Sequence, residues 1–364
     1  MDPLQVSVLA AQLCARVPGG TGRYTEELVR ALAAATPQGA SLRALAPLGC
    51  PAAERLPVPT STLPLPAVLL SRLWERGWPP YAARSGVVHA PTLLVPPPRR
   101  GCALVVTVHD VVPWTHPETL TPRGVAFHRR MGARAARDAD VIVTPTAAVA
   151  DRVRELLTPR GRVVSAHLGV TVSPVPSDAA TRRSAVGARR EYVLFVGTAE
   201  PRKGLDVLIA ALAQPVLAGL DLVVVGPAGW GDVSVAGLAE TSGVGGRVVV
   251  TGRVGEPDLQ ALYAGARAVA VPSRAEGFGL PVVEAMAHGI PVVTSDDPSL
   301  VEVGGGVAAV VPVGDAPALA TALAEAAAEG PGRAQRVEEG IRRAADFSWP
   351  QTAAAMWDVY RSVS

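Results

Sequence analysis

The only lysine in this 364-residue sequence is Lys203, although the chain holds 34 basic side chains. It follows Arg202 in the string 196–204, VGTAEPRKG, which comes directly after an apolar run typical of a buried strand. Two adjacent cations at a strand end suit a diphosphate, whose negative charge is concentrated on a few oxygens. Two solvated charges at the start of a surface helix are the alternative interpretation. The position of the single lysine favours a binding site.

Two carboxylates lie in the string 272–284, PSRAEGFGLPVVE. Glu276 falls in a glycine-rich loop after the apolar run 268–271, and Glu284 falls about one turn into a helix that Pro281 begins. The glycines free the backbone amides to face a ligand, so the two carboxylates can address opposite ends of one extended molecule. Alternatively, Glu284 is an acid placed favourably near a helix N-terminus and Glu276 is an exposed loop residue.

Two further loops carry candidate residues in the first half of the chain. The string 19–22, GGTG, includes Gly19 and Gly20 and precedes a predicted helix, where backbone N–H groups can approach an anion. An ordinary glycine turn explains it equally well. His109 and Asp110 end a buried strand and could hydrogen-bond ligand hydroxyls or transfer a proton. A structural histidine at a capped strand end is the alternative.

The sequence indicates no metal site. The remaining histidines lack the spacing of metal ligands. The triplet 138–140, DAD, resembles a metal-binding pair of aspartates, but it runs from a predicted helix into the strand 141–144, so we interpret it as a strand flank.

Short Val/Leu/Ile runs alternate with Ala/Leu/Arg patterns of helical period, which predicts two doubly wound α/β domains with parallel sheets. In such domains ligands bind at the carboxyl ends of the strands, here in an interdomain cleft. We predict an N-terminal domain over 1–171, a proline-containing hinge linker over 172–190, a C-terminal domain over 191–346, and a final helical segment over 347–364. The predicted strands cover 5–10, 42–46, 87–89, 103–108, 141–144, 163–166, 192–196, 222–225, 247–250, 268–271, 291–294 and 308–311. The predicted helices cover 23–35, 67–76, 122–137, 147–157, 205–213, 257–264, 281–288, 316–328 and 351–363, and residues 47–66 form a long loop.

Composition excludes several classes of protein. Hydrophobic residues make up 49% and charged residues 18%, which excludes a disordered chain, and 4% aromatic residues with a net charge of +2 argue against a nucleic-acid binder. Three widely spaced cysteines without a CxxC pair indicate reduced thiols, and the N-terminus does not resemble a signal peptide. No apolar stretch is long enough to span a bilayer. We therefore expect a cytoplasmic protein.

The first half is the basic half, since residues 1–180 hold 19 arginines and 12 acidic residues. The predicted helix 122–137 places Arg130, Arg134 and Arg137 on one stripe beside Phe127 and Met131. Such a stripe predicts peripheral contact with an anionic membrane or a lipid-linked acceptor. A solvated helix face with its apolar side turned inward is the alternative.

These strings together resemble glycosyltransferase family 4, nearly from end to end. The Glu276…Glu284 spacing matches the family's E-x7-E motif, and the residues 285–293, AMAHGIPVV, and 347–349, FSW, are also similar. The resemblance implies a GT-B fold, in which two Rossmann-like domains face a cleft and a C-terminal helix crosses back to the first domain. Thr171, where an acid is common, and Gly204, where asparagine is common, depart from the pattern.

The resemblance also implies a role for each candidate residue. Arg202 and Lys203 would bind the donor diphosphate, and Glu284 would accept hydrogen bonds from the ribose. Glu276 would contact the donor sugar hydroxyls together with the backbone of the four residues that follow it. The other contacts implied are His109 to the sugar, Gly19 and Gly20 to the phosphates and sugar, Arg253 and Val254 to the base through their backbone, and the backbone segment Gly277, Phe278, Gly279 and Leu280.

The implied reaction moves a hexosyl group from a nucleoside diphosphate sugar to a glycan, lipid-linked or small-molecule acceptor, with retention and without metal or cofactor. The stretch from His109 to Pro117 looks most like bacterial mannosyltransferases of surface polysaccharides, which favours mannose. Domain closure about the linker would exclude water. A dehydrogenase or sugar-nucleotide epimerase is the first alternative, although the absence of GxGxxG counts against it. A non-catalytic homologue that binds nucleotide sugars is the second.

Overall fold

The computed structural model describes residues 3–15, 19–228 and 234–364. The chain forms two compact units. The first unit contains the residues up to Gly169 together with Ser348–Ser364, and the second contains Val170–Phe347. Each unit is an α/β unit built on one parallel sheet, as the alternating apolar runs predict.

The sheet of the first unit has seven strands in the described residues. They are β1 (Leu4–Leu9), β2 (Ala40–Ala46), β3 (Thr60–Thr62), β4 (Gly86–Ala90), β5 (Cys102–Thr107), β6 (Val141–Thr144) and β7 (Arg162–Ser165). Their order is β3-β2-β1-β4-β5-β6-β7. The central strands are mostly apolar because both faces are covered, and β6 is buried at each of its four positions.

The sheet of the second unit has six strands in the described residues. They are β8 (Tyr192–Val196), β9 (Asp221–Val225), β10 (Val248–Gly252), β11 (Ala268–Val271), β12 (Val292–Ser295) and β13 (Ala309–Val311). Their order is β10-β9-β8-β11-β12-β13, with Ala268 of β11 opposite Val193 of β8.

Helices connect the parallel strands. Within the described residues they are α1 (Gly19–Ala34), α2 (Ala67–Trp74), α3 (Val112–Thr115), α4 (Pro122–Asp138), α5 (Ala147–Leu157), α6 (Ala179–Ala185), α7 (Leu205–Leu212), α8 (Val235–Thr241), α9 (Glu256–Gly265), α10 (Leu280–Ala287), α11 (Pro298–Gly304), α12 (Ala316–Ala327), α13 (Pro331–Ala344) and α14 (Trp349–Arg361). Sequence signals set several of their starts. Thr121 caps α4 through Gly124 N–H, and Asp297 caps α11 through Ser299 and Leu300.

The strand orders place a topological switch point in each sheet. β1 lies between β2 and β4, so the chain leaves it in both directions, and β8 lies in the same way between β9 and β11. The loops after such strands diverge and leave a crevice at the carboxyl edge. Gly19 and Gly20 come after β1, Arg202 and Lys203 after β8, and Glu276 after β11, so these candidate residues lie beside the two switch points.

Helix α14 belongs to the first unit although it ends the chain. It packs on α1, where Trp357 Nε1 donates to the Leu32 carbonyl at 3.3 Å, and the side chains of Trp357 and Tyr360 are fully buried. This agrees with the expectation that the C-terminal helix returns to the first domain.

Several elements differ from the sequence prediction. The expected linker 172–190 belongs to the second unit. Its prolines suggested an irregular segment, but the residues that follow them form α6, which packs on α9. The expected loop 47–66 contains the short strand β3, which pairs with β2. Helices α3, α8, α11 and α13 were not predicted, and α1 begins at Gly19 rather than at residue 23.

The prediction of three reduced thiols is wrong for two of them. Cys14 and Cys50 form a disulfide with their Cα atoms 5.3 Å apart, while Cys102 is a free thiol. The two cysteines are distant in sequence but meet where short 3-10 turns follow β1 and β2, which are neighbours in the sheet. The thiol argument for a cytoplasmic location therefore does not hold.

The predicted basic stripe on α4 is not a continuous exposed surface. Arg134 is only 7% exposed and lies 3.6 Å from Asp138, and Met131 is fully buried in the core. The turn after α2 covers this face, since a Cβ at Gly77 would lie 2.5 Å from the Arg134 guanidinium. In the part of the chain that the structure describes, no helix combines the length and apolar character needed to cross a membrane.

Candidate active site in the second unit and a cavity in the first

A charged cluster forms where β8 and β11 end. Lys203 Nζ donates to Glu276 Oε1 at 2.5 Å, and Arg202 donates to Glu276 Oε2 at 3.0 Å. Arg202 also donates to Glu200 at 2.6 Å and to the Ala275 carbonyl at 2.7 Å. The side chains of Arg202 and Lys203 are 16% and 17% exposed, so neither cation points into bulk solvent. The two strings singled out in the sequence thus meet in one place.

Glu276 is ionised in this environment. Burial would raise the pKa of its carboxyl, but the charges of Lys203 and Arg202 and the hydrogen bonds from Lys203 and Ser273 outweigh burial and hold the pKa at about 2. The Ser273 hydroxyl donates to Glu276 Oε1 at 2.7 Å. A carboxylate with this pKa accepts hydrogen bonds near neutral pH and does not act as a general acid.

Backbone geometry fixes the two loops against each other. Gly204 follows Lys203 with φ at +68°, and a Cβ there would lie 2.1 Å from the Pro272 carbonyl oxygen. Only glycine fits this left-handed position and this close approach. The departure from asparagine at this position therefore serves packing.

The rest of the string after β11 forms a tight turn into α10. The Glu276 N–H donates to Asp297 Oδ2 at 3.3 Å, and Gly279 has φ at +91° immediately before the helix. Phe278 is 4% exposed and packs edge-to-face on Phe347, with ring centroids 5.5 Å apart. Its side chain is therefore part of the core. A ligand contact by this segment would come from the backbone of Gly277–Leu280.

Glu284 is buried on α10, with 7% of the residue exposed. The Tyr263 hydroxyl on α9 donates to its Oε2 at 2.8 Å, and the Tyr263 ring stacks on His288 at a centroid distance of 5.2 Å. Arg253 and Val254 follow the end of β10, where Arg253 is exposed and Val254 is partly buried. The residues from Arg202 onward that were predicted to bind the nucleotide-sugar donor thus all belong to the second unit.

A cavity of about 580 Å³ opens at the carboxyl ends of β1, β4 and β5 in the first unit. His109, Asp110 and Thr92 line its inner part, and Arg72 and Arg123 also line it. We call it the first-unit cavity. It was not predicted, because its residues come from loops and helices far apart in the sequence.

His109 is held in one orientation at this cavity. Its Nε2 lies 2.8 Å from the Pro91 carbonyl oxygen, which can only accept, so Nε2 carries the proton and Nδ1 is an acceptor in the neutral ring. Burial lowers the pKa of the imidazole, although the Pro91 carbonyl and Asp110 act in the opposite direction. The Tyr24 ring packs edge-to-face on the His109 ring, with ring centroids 4.7 Å apart.

Tyr24 also reaches a buried polar network that sequence reasoning missed. Its hydroxyl lies 3.5 Å from Thr107 Oγ1, which lies 2.8 Å from His89 Nε2, and His89 Nδ1 lies 2.8 Å from the Tyr360 hydroxyl. Desolvation, and to a smaller extent the nearby His109, lowers the pKa of His89 to about 3, so this ring is neutral. The one sequence feature that could have indicated this network is His89 itself, a polar residue at the end of a predicted buried strand.

Gly19 and Gly20 form the first turn of α1 and are exposed. A Cβ at either position would meet no atom within 4 Å, so the space beside this helix start is open. The turn is therefore helical rather than the separate loop that the sequence suggested.

The aspartates of the triplet 138–140 have structural partners. Asp138 pairs with Arg137 at 2.7 Å and Asp140 accepts from the Leu104 N–H at 2.8 Å. Over residues 3–15, 19–228 and 234–364, no three His, Cys, Asp or Glu side chains are grouped to hold a metal ion.

Sequence reasoning also missed partners that support the charged cluster. Ser273, Glu200 and Asp297 all contact its members, as described above. Ser273 and Glu200 lie inside the two strings, and Asp297 precedes Pro298 in a pattern typical of a helix cap. Spacing alone did not show which of these would reach Glu276.

Comparison with known families matches both parts of the chain. The model "Glycosyltransferase Family 4" matches residues 18–173, and the model "Glycosyl transferases group 1" matches residues 190–329. Together they cover most of both units.

Among curated proteins, the O-antigen chain mannosyltransferase B of Escherichia coli is 29% identical over 223 residues, which are 59% of this chain and 58% of that protein. The D-inositol 3-phosphate glycosyltransferase of Segniliparus rotundus is 39% identical over 121 residues, 31% of this chain and 27% of that protein. The alignments thus span between about a quarter and three fifths of these relatives.

Solved structures share the fold over nearly the whole chain. Sucrose-phosphate synthase from Thermosynechococcus elongatus has a TM-score of 0.76 at 21% identity, covering 99% of this chain and 98% of that one. HepE of Anabaena, in complex with UDP and glucose, has a TM-score of 0.72 at 19% identity, covering 99% and 100%. These likenesses show the GT-B fold, and the two family models show that the chain belongs to glycosyltransferase family 4, a family of transferases.

Proposed function

We propose that this protein transfers a hexosyl group, with mannosyl favoured, from a nucleoside diphosphate sugar to an acceptor hydroxyl, retaining the anomeric configuration and using no metal. The observation that carries the proposal is the cluster of Lys203, Arg202 and Glu276 at the switch point of the second sheet. Support for the donor class comes from related folds solved with UDP and UDP-glucose. Support for mannose comes from the likeness to O-antigen chain mannosyltransferase B.

In the proposed reaction the bond between C1 of the sugar and the diphosphate oxygen breaks. The acceptor oxygen forms a bond to C1 on the same face, and its proton moves to the departing diphosphate. Lys203 has three N–H donors, of which one bonds to Glu276, and it would stabilise the charge that develops on the leaving group. Arg202 would add a second cation.

Glu276 serves two purposes in this scheme. As an ionised carboxylate it orients Lys203 and Arg202 before the donor binds, so little reorganisation is needed during the reaction. It would also accept hydrogen bonds from sugar hydroxyls, together with the backbone of Gly277–Leu280. Glu284, held by Tyr263, would accept from the ribose.

His109 would act on the sugar through its Nδ1 lone pair, because Nε2 is engaged with Pro91. A neutral imidazole in this orientation accepts a hydrogen bond from a hydroxyl.

The experiment begins with thermal shift of the purified chain against UDP-, GDP- and ADP-sugars. Release of nucleoside diphosphate from the stabilising donors is then measured, with and without EDTA. The anomeric proton coupling of the product, measured by NMR, reports retention or inversion. Release of nucleoside diphosphate in the presence of EDTA, with a retained anomer, supports the proposal. Loss of activity with EDTA would contradict metal independence, and donor binding without turnover under all conditions would indicate a non-catalytic homologue.

Lys203→Ala is the matched test of the cluster. We expect turnover to fall by about 100-fold or more, because one preorganised charge contact to a leaving group contributes roughly 3 kcal/mol. Arg342→Ala is the control, because Arg342 is a cation of the same unit whose side chain is 67% exposed. Its ion pair with Glu338 is long, at 3.9 Å. Circular dichroism checks that both variants fold. Unchanged turnover in folded Lys203→Ala would refute the role of Lys203.

A further inference from the structure

The first-unit cavity continues outward into a second cavity of about 420 Å³. The two share Arg72, Phe127 and Arg123 in their linings, and the outer cavity adds Arg76 and Arg130. The two cavities therefore adjoin: His109 and Asp110 line the first, Arg76 and Arg130 line the second, and Arg72 and Arg123 line both. We call these adjoining cavities the acceptor channel.

Positive charge dominates the channel beyond its inner end. Four arginines of α2 and α4 and their flanks line it, against the carboxylates of Asp110 and Glu75. Asp110 already accepts the Val112 N–H at 3.0 Å, and Glu75 lies 3.8 Å from Arg130. In the described part of the chain, neither acid forms an ion pair with Arg72 or Arg123.

Arg72 and Arg123 are exposed and, within the described ranges, neither forms an ion pair. Exposed Arg84 is likewise unpaired, whereas Arg30 pairs with an acid on its own helix. What distinguishes Arg72 and Arg123 is that both line the same cavity. Two guanidinium groups that face one cavity from different helices provide planar, forked donors for a phosphate.

Apolar side chains in the lining fit the remainder of a substrate. Leu93, Leu94 and Phe127 line the first-unit cavity together with the two arginines and His109. A molecule bound there would have its hydroxyls near His109 and its anionic group near the two arginines.

We propose that the acceptor of this glycosyltransferase carries a phosphate group, and that Arg72 and Arg123 bind this phosphate in the acceptor channel. The proposal names the substrate class of the transfer proposed above and rests on that function for its biological meaning. Phosphate binding itself can be measured without any turnover. The phosphate could belong to a soluble phosphorylated sugar or to a lipid-linked acceptor, and both present the same chemistry to the guanidinium groups.

The test is calorimetric titration of the full chain with mannose 6-phosphate and with mannose, a pair that differs only in the phosphate. We expect the phosphorylated sugar to bind at least tenfold more tightly. Arg72→Gln and Arg123→Gln should each abolish most of this preference, since a charge-assisted contact is worth about tenfold or more in affinity. Arg84→Gln, which removes an exposed arginine outside both cavity linings, should keep it.

Two further arms identify the source and exclude the donor cluster. The same titrations in Lys203→Ala separate this site from phosphate bound in the second unit, and the preference should persist. Flotation with phosphatidylcholine vesicles containing polyprenyl phosphate, compared with phosphatidylserine, reports a lipid-linked source. Arginine-dependent binding of mannose 6-phosphate alone supports a soluble acceptor, and arginine-dependent binding of polyprenyl phosphate vesicles alone supports a lipid-linked one.

The proposal is overturned if no phosphate probe binds more tightly than its neutral counterpart. It is also overturned if Arg72→Gln and Arg123→Gln behave as Arg84→Gln does. Equal flotation of the protein with both kinds of anionic vesicle would overturn the lipid-linked source. Failure of the proposed function has a different signature. Nucleoside diphosphate would then not be released from any donor, whatever the result of the phosphate titrations.

Discussion

The candidate sites of the two units differ in how their charges are balanced. In the second unit, two cations and two carboxylates neutralise one another, with Arg202 between Glu200 and Glu276 and Lys203 on Glu276. In the first unit, the buried polar network is held by the neutral ring of His89, and the exposed Arg72 and Arg123 line an open cavity. A preorganised charge cluster suits a reacting diphosphate, whereas cations that form no ion pair within the described residues suit recognition of an anionic group.

Replacement of Glu276 by glutamine should have the largest effect of the substitutions that test this difference between the two sites. The amide cannot balance Lys203 and Arg202, and we expect turnover to fall by about 100- to 1000-fold, or roughly 3–4 kcal/mol. A steady-state assay of nucleoside diphosphate release measures this. Glu338→Gln, an exposed acid on α13, is the control. Turnover within twofold of the parent chain would show that the cluster does not depend on this carboxylate.

The same substitution has a defined effect on stability. The pKa of Glu276 is about 2 in the folded state against an ordinary 4.5, so its contribution is fully present above pH 4.5 and is lost as pH falls towards 2. Glu276→Gln should therefore lower the free energy of unfolding at pH 7 by an amount on the order of 3 kcal/mol. The difference in free energy of unfolding between the parent chain and Glu276→Gln should become smaller below pH 4.5, as measured by urea denaturation at several pH values.

The contrast also explains what could be predicted from the sequence. Lys203 and Glu276 lie in short strings that each follow a buried strand, and the carboxyl ends of neighbouring parallel strands meet at one edge. Strand-end reasoning therefore located the charged cluster. Which acid would pair with which cation depended on the turn at Gly204 and on Asp297, which spacing does not define.

The channel of the first unit could not be predicted in the same way. Arg72 and Arg123 lie on different helices, and nothing in either local sequence indicates that they face one cavity. Helical periodicity instead pointed to Arg134, which the structure buries beside Asp138. A stripe on a helix shows which residues share a face, but not which neighbouring turn covers it. The disulfide between Cys14 and Cys50 was missed for a similar reason, because sheet order brings the two turns together.

Acid should weaken the first unit through His89. The pKa of this histidine is about 3 when folded and about 6.5 when unfolded. Protons therefore bind preferentially to the unfolded chain, and stability falls as pH decreases from 6.5 towards 3. Near pH 4.5 we expect a loss of about 3 kcal/mol. His109, whose pKa is also lowered, acts in the same direction.

Tryptophan fluorescence can follow this unit selectively. Five of the six tryptophans, at 74, 78, 114, 349 and 357, belong to the first unit. Urea denaturation of the parent chain should show a lower free energy of unfolding at pH 4.5 than at pH 7.0. This decrease should be smaller in His89→Gln, which keeps a neutral hydrogen-bonding side chain. Equal pH dependence in the two chains would mean that His89 does not control acid stability.

The smallest expected effect concerns Glu284, which is held by a neutral donor. Tyr263→Phe removes the hydroxyl that donates to Glu284 Oε2 at 2.8 Å while keeping the ring that stacks on His288. One lost hydrogen bond to a carboxylate corresponds to about 1–2 kcal/mol. We expect the donor KM to rise several-fold with kcat almost unchanged, because Glu284 would bind the ribose equally in the ground and transition states. A fall in kcat as large as that of Glu276→Gln would mean that Glu284 belongs with the charged cluster in the chemistry, and the distinction between its binding role and the reactive role of Glu276 would be lost.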